Sequence, residues 1–86
     1  MMNTFEKVQE ILKEVKPTKN LDGITDIVEG GYIDSFELMY LISMLNERFN
    51  IEISVDDMTV ENFNSVETIG NMVERLMNCA NAGGSN

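Results

Sequence analysis

The sequence predicts an all-α protein: a small four-helix bundle, with three principal helices, one short helix and a long loop between helices 1 and 2. Three observations predict this fold class. Apolar residues recur at helical spacing in three segments, capping residues precede those segments, and polar connections separate them. The 86 residues, 43% of them hydrophobic, suit one domain with one small core.

The first helix is predicted over residues 5–15. Its apolar face comprises Phe5, Val8, Ile11, Leu12 and Val15. Asn3 and Glu6 suit a capping box at its start. Pro17 ends the helix, because proline lacks an amide proton and disfavours a helical residue before it.

A long connection follows over residues 16–33 and contains three glycines. Apolar residues are spread along it, namely Leu21, Ile24, Ile27, Val28, Tyr32 and Ile33. We expect these side chains to hold the loop against the core. Ordered loops of this length commonly position functional residues, and this loop leads to Asp34 and Ser35.

The second helix is predicted from Asp34, its N-cap, to about Phe49, with Glu37 completing a capping box. Its core face comprises Leu38, Leu41, Ile42, Leu45 and Phe49. At about 100° per residue, the opposite side carries Phe36, Met39, Tyr40, Ser43 and Glu47. An outward apolar patch of this kind often binds a partner. The alternative is that a central helix buries more than one face.

Residues 51–53 alternate apolar and polar, and we predict an extended loop because no strand is available to pair with them. Thr59 can cap a short helix through Phe63, and Ser65 can cap a final helix to about Asn78. The final helix has an apolar side of Val66, Ile69, Met72, Val73, Leu76 and Met77. Residues 79–86 lack periodicity and are predicted to form a flexible tail behind a domain of residues 1–78.

The net charge of −9 excludes nucleic acid as a favoured partner, since a phosphate backbone would be repelled. Residues 21–86 contain twelve acidic side chains and only two basic ones, Arg48 and Arg75. This part of the chain suits a basic protein partner. The alternative is that the acidic residues serve only to keep the protein soluble. A lone Cys79, no export signal and no segment long enough to span a bilayer predict a cytoplasmic protein, which we expect to be monomeric.

Conventional nucleophilic or metal catalysis is not expected, because the chain has no histidine and no clustered metal-ligand spacing. A calcium loop is one alternative, with Thr18, Asn20, Asp22, Gly23, Asp26 and Glu29 at EF-hand-like positions. Its context is poor. Pro17 and the Gly30-Gly31 pair would prevent the two flanking helices.

Ser35 is the strongest candidate for chemistry. A serine directly after an N-cap lies on the first helical turn, where free amides and the helix dipole favour an attached phosphate. Ordinary capping is the alternative explanation of an isolated Asp-Ser pair.

Residues 31–38, Gly-Tyr-Ile-Asp-Ser-Phe-Glu-Leu, resemble the attachment motif of acyl carrier proteins, which is similar to Gly-x-Asp-Ser-Leu in many members. The resemblance covers roughly residues 4 to 77. It includes the proline-terminated first helix, the long loop, residues 49–53, the acidic pair Asp56-Asp57, and the start of the last helix at Ser65.

This resemblance implies that Ser35 is esterified by 4′-phosphopantetheine from coenzyme A, and that Asp34 helps a phosphopantetheinyl transferase and its magnesium engage the site. The chain would then carry an acyl or aminoacyl group as a thioester and would itself catalyse nothing. Expected partners are that transferase, a loading ligase or transacylase, and downstream enzymes. The residues predicted to bind them are Phe36, Glu37, Met39, Tyr40, Glu47, Ile53 and Asp57.

Departures from the fatty-acid carriers favour a dedicated pathway. Phe36 stands at a position where those carriers resemble one another in having leucine. Tyr40 stands where a glutamate is usual, and Arg48 interrupts the series of acidic residues along the second helix. The sequence is also similar to D-alanyl carriers and to stand-alone carriers of polyketide or peptide pathways. The alternative function is a small acidic helical adaptor without a prosthetic group. The methionines Met39, Met44, Met58, Met72 and Met77 either line an adaptable acyl pocket or belong to the core.

Repulsion among the acids of residues 21–86 should limit stability, so moderate salt should raise the melting temperature by screening. Thermal denaturation between low and physiological ionic strength tests this expectation. A flat or falling melting temperature would contradict it. A rise with calcium far beyond that with magnesium at equal ionic strength would instead support the calcium loop.

Overall fold

A computed structural model describes residues 2–84, with side chains through Asn78, and these residues form four α-helices and one 3-10 turn. The elements are α1 (Thr4–Val15), α2 (Ser35–Phe49), the 3-10 turn (Val55–Asp57), α3 (Val60–Phe63) and α4 (Val66–Gly84). Helix α1 packs against α2 and α4, and α3 packs against α4. The predicted all-α class, with three principal helices and one short one, is confirmed.

The core lies between α1, α2 and α4 and is built from the predicted apolar faces. Its most buried side chains are Val8, Ile11, Leu12, Ile27, Leu41, Leu45, Phe63, Ile69, Met72 and Val73. Helices α1 and α4 approach closely at Gly70, where an added Cβ would overlap the Phe5 ring. Burial of these side chains supplies the main driving force for folding.

Each of the four described α-helices begins directly after its predicted capping residue, and three of these residues make a side-chain capping bond. In α1, Asn3 Oδ1 accepts from the Glu6 amide at 2.9 Å and Glu6 Oε1 accepts from the Asn3 amide at 3.0 Å. Before α4, Ser65 Oγ accepts from the Thr68 amide at 3.1 Å. Thr59 occupies the N-cap position of α3, as predicted, but its side chain makes no capping bond. The Asn62 amide that it would cap already donates to the Thr59 carbonyl at 3.2 Å.

Residues 51–54 form neither helix nor paired strand, in agreement with the prediction of a loop. Asn50 ends α2 in the left-handed conformation (φ 53°), and Asn46 Oδ1 then accepts from the Ile53 amide at 2.9 Å. The alternation buries Ile51 and Ile53. Ile53 is only 4% exposed and so offers little surface to a partner, and its predicted role in partner binding stays a prediction.

Helix α4 ends at Gly84, beyond the predicted end at Asn78. Residues 79–82 are Cys-Ala-Asn-Ala, and two alanines with no proline allow the backbone to continue as a helix. Ser85 and Asn86 of the predicted tail lie outside the described residues. The division into a domain of residues 1–78 and a flexible tail of residues 79–86 stays a prediction.

The loop between α1 and α2 is held against the core as expected, with Leu21, Ile27 and Ile33 buried. A buried polar residue adds a second anchor. Asn64 Oδ1 accepts from the amides of Val28 and Glu29 at 3.0 and 3.1 Å, and the Asn64 carbonyl accepts from the Ile27 amide at 2.9 Å. Asn64 Nδ2 also donates to Glu29 Oε1 at 2.9 Å. The junction of α3 and α4 thus fixes the loop before it reaches α2.

Replacing Asn64 with alanine should lower the free energy of unfolding by about 1–3 kcal/mol, because two partly buried loop amides lose their acceptor. Urea denaturation measures this loss. Asn71→Ala, at an exposed position of α4, is the matched control and should change stability little. Equal effects of the two substitutions would show that Asn64 does not anchor the loop.

Candidate functional site

The loop makes a tight turn over residues 26–32, just before α2 begins. The Tyr32 amide donates to the Ile27 carbonyl at 3.0 Å and the Gly31 amide donates to the Val28 carbonyl at 3.1 Å, with Gly31 at φ 75°. This is the pattern of a Schellman motif, which favours glycine at the left-handed position. Gly30 is also required, since an added Cβ would lie 2.7 Å from the Asp26 carbonyl oxygen. Buried Ile33 then fixes the position of the following residue, Asp34.

Asp34 caps α2 through reciprocal hydrogen bonds with Glu37. Asp34 Oδ1 accepts from the Glu37 amide at 2.8 Å, and Glu37 Oε1 accepts from the Asp34 amide at 2.9 Å. The predicted capping box is confirmed. A contact that the sequence did not predict is added by Lys16, the residue that caps the C-terminus of α1. Its Nζ lies 3.1 Å from Glu37 Oε2 and 3.4 Å from Oε1.

Ser35 is exposed and is the first residue of α2. Because Asp34 Oδ1 caps the third amide, the amides of Ser35 and Phe36 are the helix donors that remain for an outside acceptor. They lie at the positive end of the helix dipole, which stabilises an anion. An accessible hydroxyl beside these donors therefore fits a serine that carries a phosphodiester.

The outward face of α2 carries the apolar residues that helical geometry predicted. Phe36 is 87% exposed, Met39 61% and Tyr40 50%, and Glu47 is also exposed. Their predicted outward orientation is confirmed. We call Phe36, Met39 and Tyr40 the α2 patch. An exposed cluster of this kind is unusual for a surface that binds nothing.

The other predicted partner residues are less available. Glu37 is half-buried and engaged with Lys16 and the Asp34 amide. Asp57 lies 2.9 Å from Arg75 Nη2, and its Oδ2 accepts from Ser54 Oγ at 3.2 Å. Exposed apolar side chains that sequence reasoning missed lie instead at Val55, Met58 and Val60. They lie in the short segment of residues 55–60, which covers the 3-10 turn and the first residue of α3 and has no helical periodicity. The available sequence signal was three apolar residues among polar ones.

The five methionines do not share one pocket. Met44 and Met72 are buried in the core, and Met77 packs against it. Met58 lines a small apolar crevice of about 70 Å³, together with Leu38 and Ile42 of α2. The interpretation of most of these methionines as core residues is therefore favoured.

The calcium-loop alternative lacks its structural context. No helix follows Glu29 before α2 begins at Ser35, and the Glu29 carboxylate accepts from Asn64. Within residues 2–78, whose side chains are described, no group of three or more acidic, histidine or cysteine side chains could hold a metal ion.

An accessible serine at the capped start of the second helix of a small bundle fits a carrier domain for a phosphate-linked group. The chain belongs to the phosphopantetheine attachment-site family, whose model matches residues 6–76. A comparison with curated proteins gives no significant match. Family membership supports a non-catalytic carrier with a covalent 4′-phosphopantetheine group, and it favours this role over the adaptor without a prosthetic group. Its partners include a phosphopantetheinyl transferase and the enzymes of a pathway.

No helix in the described part of the chain is long and apolar enough to cross a bilayer.

Proposed function

We propose that Ser35 is the attachment residue, and that the protein carries an acyl or aminoacyl thioester between enzymes of a dedicated biosynthetic pathway. The observation that carries this proposal is the exposed Ser35 at the first position of α2, directly after Asp34, which caps the helix. The arm supplies a terminal thiol that holds the cargo. The chain's own residues hold the arm's phosphate, present the docking surface and catalyse nothing.

The modification requires a nucleophile that a transferase can reach. The Ser35 oxygen forms a bond to the phosphorus of the phosphopantetheine moiety, the bond from that phosphorus to the nucleotide part of coenzyme A breaks, and the hydroxyl proton passes to a base of the transferase. Exposure of Ser35 allows this approach. The free amides of α2 then stabilise the phosphodiester, and the Asp34 carboxylate is placed to help the transferase and its magnesium engage the site.

The other candidate serines lack this combination of features. Ser43 is exposed but lies in the middle of α2, away from free amides. Ser54 is exposed before the 3-10 turn and donates to Asp57. Ser65 is buried and its hydroxyl caps α4.

Ser35→Ala should stay folded and gain no phosphopantetheinyl mass, because the helix cap at Asp34 remains and only the nucleophile is lost. Intact-mass spectrometry after incubation with coenzyme A, magnesium and a broad-specificity transferase measures the modification. Ser43→Ala, on the same helix, is the matched control and should be modified like the wild type. Modification that persists in Ser35→Ala, or that appears on Ser43, Ser54 or Ser65, would contradict the assignment.

A dedicated pathway is favoured by the α2 patch. Exposed Phe36 and Tyr40 give the helix aromatic anchors, and Asp34 and Glu47 form a charged rim. Buried aromatic anchors dominate affinity in many interfaces, whereas rim charges mainly affect association rate. Exposed Val55, Met58 and Val60 offer further apolar contact area. An enzyme that selects carriers through a basic patch should use this protein poorly.

Tyr40→Ala should weaken binding to the cognate loading enzyme by about 1–2 kcal/mol, as truncation of an interface anchor does. Glu47→Gln should mainly slow association and reduce its salt dependence. Loading kinetics for wild type, Tyr40→Ala and Tyr40→Glu measure the effect, with a dedicated ligase and with a fatty-acid synthase transacylase. The fold should survive, because both side chains are exposed.

Two results would reject the dedicated-pathway assignment. One is a Tyr40→Ala variant that the dedicated ligase loads as well as wild type. The other is a wild-type protein that serves the transacylase as well as a generic fatty-acid carrier does.

The compartment and the oligomeric state are part of the proposal. We place the carrier in the cytoplasm, where coenzyme A-dependent modification and a reduced Cys79 are compatible. We propose a monomer in solution, which leaves the surface around Ser35 open to successive partners.

A further inference from the structure

The Lys16–Glu37 ion pair is the best enclosed of the ion pairs in the described chain. The exposed fractions of its two side chains are 30% and 26%, against 64% and 53% for the Lys13–Glu10 pair within α1. It also links distant parts of the chain, since Lys16 begins the long loop and Glu37 follows its end. Partial burial reduces the screening that weakens exposed pairs.

Lys16 reaches Ser35 through a short series of contacts. Its ammonium lies 3.1 and 3.4 Å from the two oxygens of Glu37, and Glu37 Oε1 accepts from the Asp34 amide at 2.9 Å. Ser35 lies between the two members of this capping box. The ammonium therefore orients the carboxylate that fixes the backbone immediately before the proposed nucleophile.

Charge gives Lys16 a second effect on the same site. The first turn of α2 carries the carboxylates of Asp34 and Glu37, both of which oppose a phosphate on Ser35. Lys16 offsets the charge of Glu37, whereas Asp34 takes part in no ion pair within the described residues. The pair thus leaves one uncompensated carboxylate, that of Asp34, directly beside the serine.

We infer that Lys16 is a positioning residue for the modification of Ser35, acting through Glu37 and without contacting the reacting atoms. This inference rests on the proposed attachment at Ser35. Loss of the ammonium loosens the Glu37 carboxylate and frees its charge, so the turnover of phosphopantetheinyl transfer falls. Recognition by the transferase is little changed.

Lys16→Met should lower kcat for phosphopantetheinyl transfer by about three- to tenfold, with KM for the carrier within about twofold. The assay uses coenzyme A, magnesium and a broad-specificity transferase, well below the melting temperature of each variant. Lys16→Arg should restore most of kcat, because arginine keeps the charge. Lys13→Met is the matched control: it removes the same charge from the exposed pair within α1 and should behave like wild type.

A double-mutant cycle with Glu37→Gln tests the route, because glutamine keeps an acceptor for the Asp34 amide but removes the charge that Lys16 contacts. Lys16→Met should then lower kcat little further. An undiminished effect in that background would overturn the inference, since Lys16 would act on the transferase directly. A kcat for Lys16→Met equal to that of Lys13→Met would overturn it as well.

Amide hydrogen exchange of the unmodified protein gives a readout independent of the transferase. Lys16→Met should raise exchange at Asp34 and Glu37, whose amides donate within the capping box, more than in the core of α2, and Lys13→Met should not. A uniform rise along α2 would show a purely structural role and overturn the inference. Failure of the wild type to gain mass, together with the local rise in exchange, would reject Ser35 attachment while retaining the role of Lys16 in ordering α2.

Discussion

The capping box between Asp34 and Glu37 determines where α2 begins, and the chemistry of the site depends on that starting point. With Asp34 as N-cap, the carboxylate satisfies the Glu37 amide at 2.8 Å and Ser35 becomes the first helical residue. If the helix began one residue later, Ser35 would be the N-cap and its hydroxyl would be directed to a helix amide. The aspartate therefore keeps the serine hydroxyl available to an enzyme, and the α2 patch begins at the next residue.

Holding that starting point requires more than the two capping residues, because a long loop precedes them and ordering it has an entropic cost. Several kinds of contact offset this cost. Buried Leu21, Ile27 and Ile33 tie the loop to the core, and Asn64 accepts from amides of the loop at the junction of α3 and α4. Lys16, the first residue of the loop, then forms an ion pair with Glu37. Each contact restricts a different part of the same segment, so α2 begins at a fixed place although the loop contains no regular helix.

The parts of this structure that could be predicted from sequence are those encoded by neighbouring residues. Helical periodicity predicted the core faces. The capping pairs Asn3–Glu6 and Asp34–Glu37, whose members are three residues apart in sequence, predicted the starts of α1 and α2. The Asn64 and Lys16 contacts could not be predicted, since they join residues more than twenty positions apart. The burial of Ile53 could not be predicted, because an alternating segment does not reveal which side faces the core until its packing partners are known.

The two faces of α2 meet different physical requirements within one helix. Leu41 and Leu45 are fully buried, so the helix cannot rotate without exposing core surface. The opposite face can change its side chains with less loss of packing, because Phe36, Met39 and Tyr40 are at least half exposed. A carrier that visits several enzymes must release each one, which favours a small contact surface and fast association. On the proposed docking face, aromatic anchors beside the exposed acids Asp34 and Glu47 combine these properties, since the anchors provide specificity and the charge provides rate. Partner choice can therefore change on the outer face of α2 while Ser35 keeps its position.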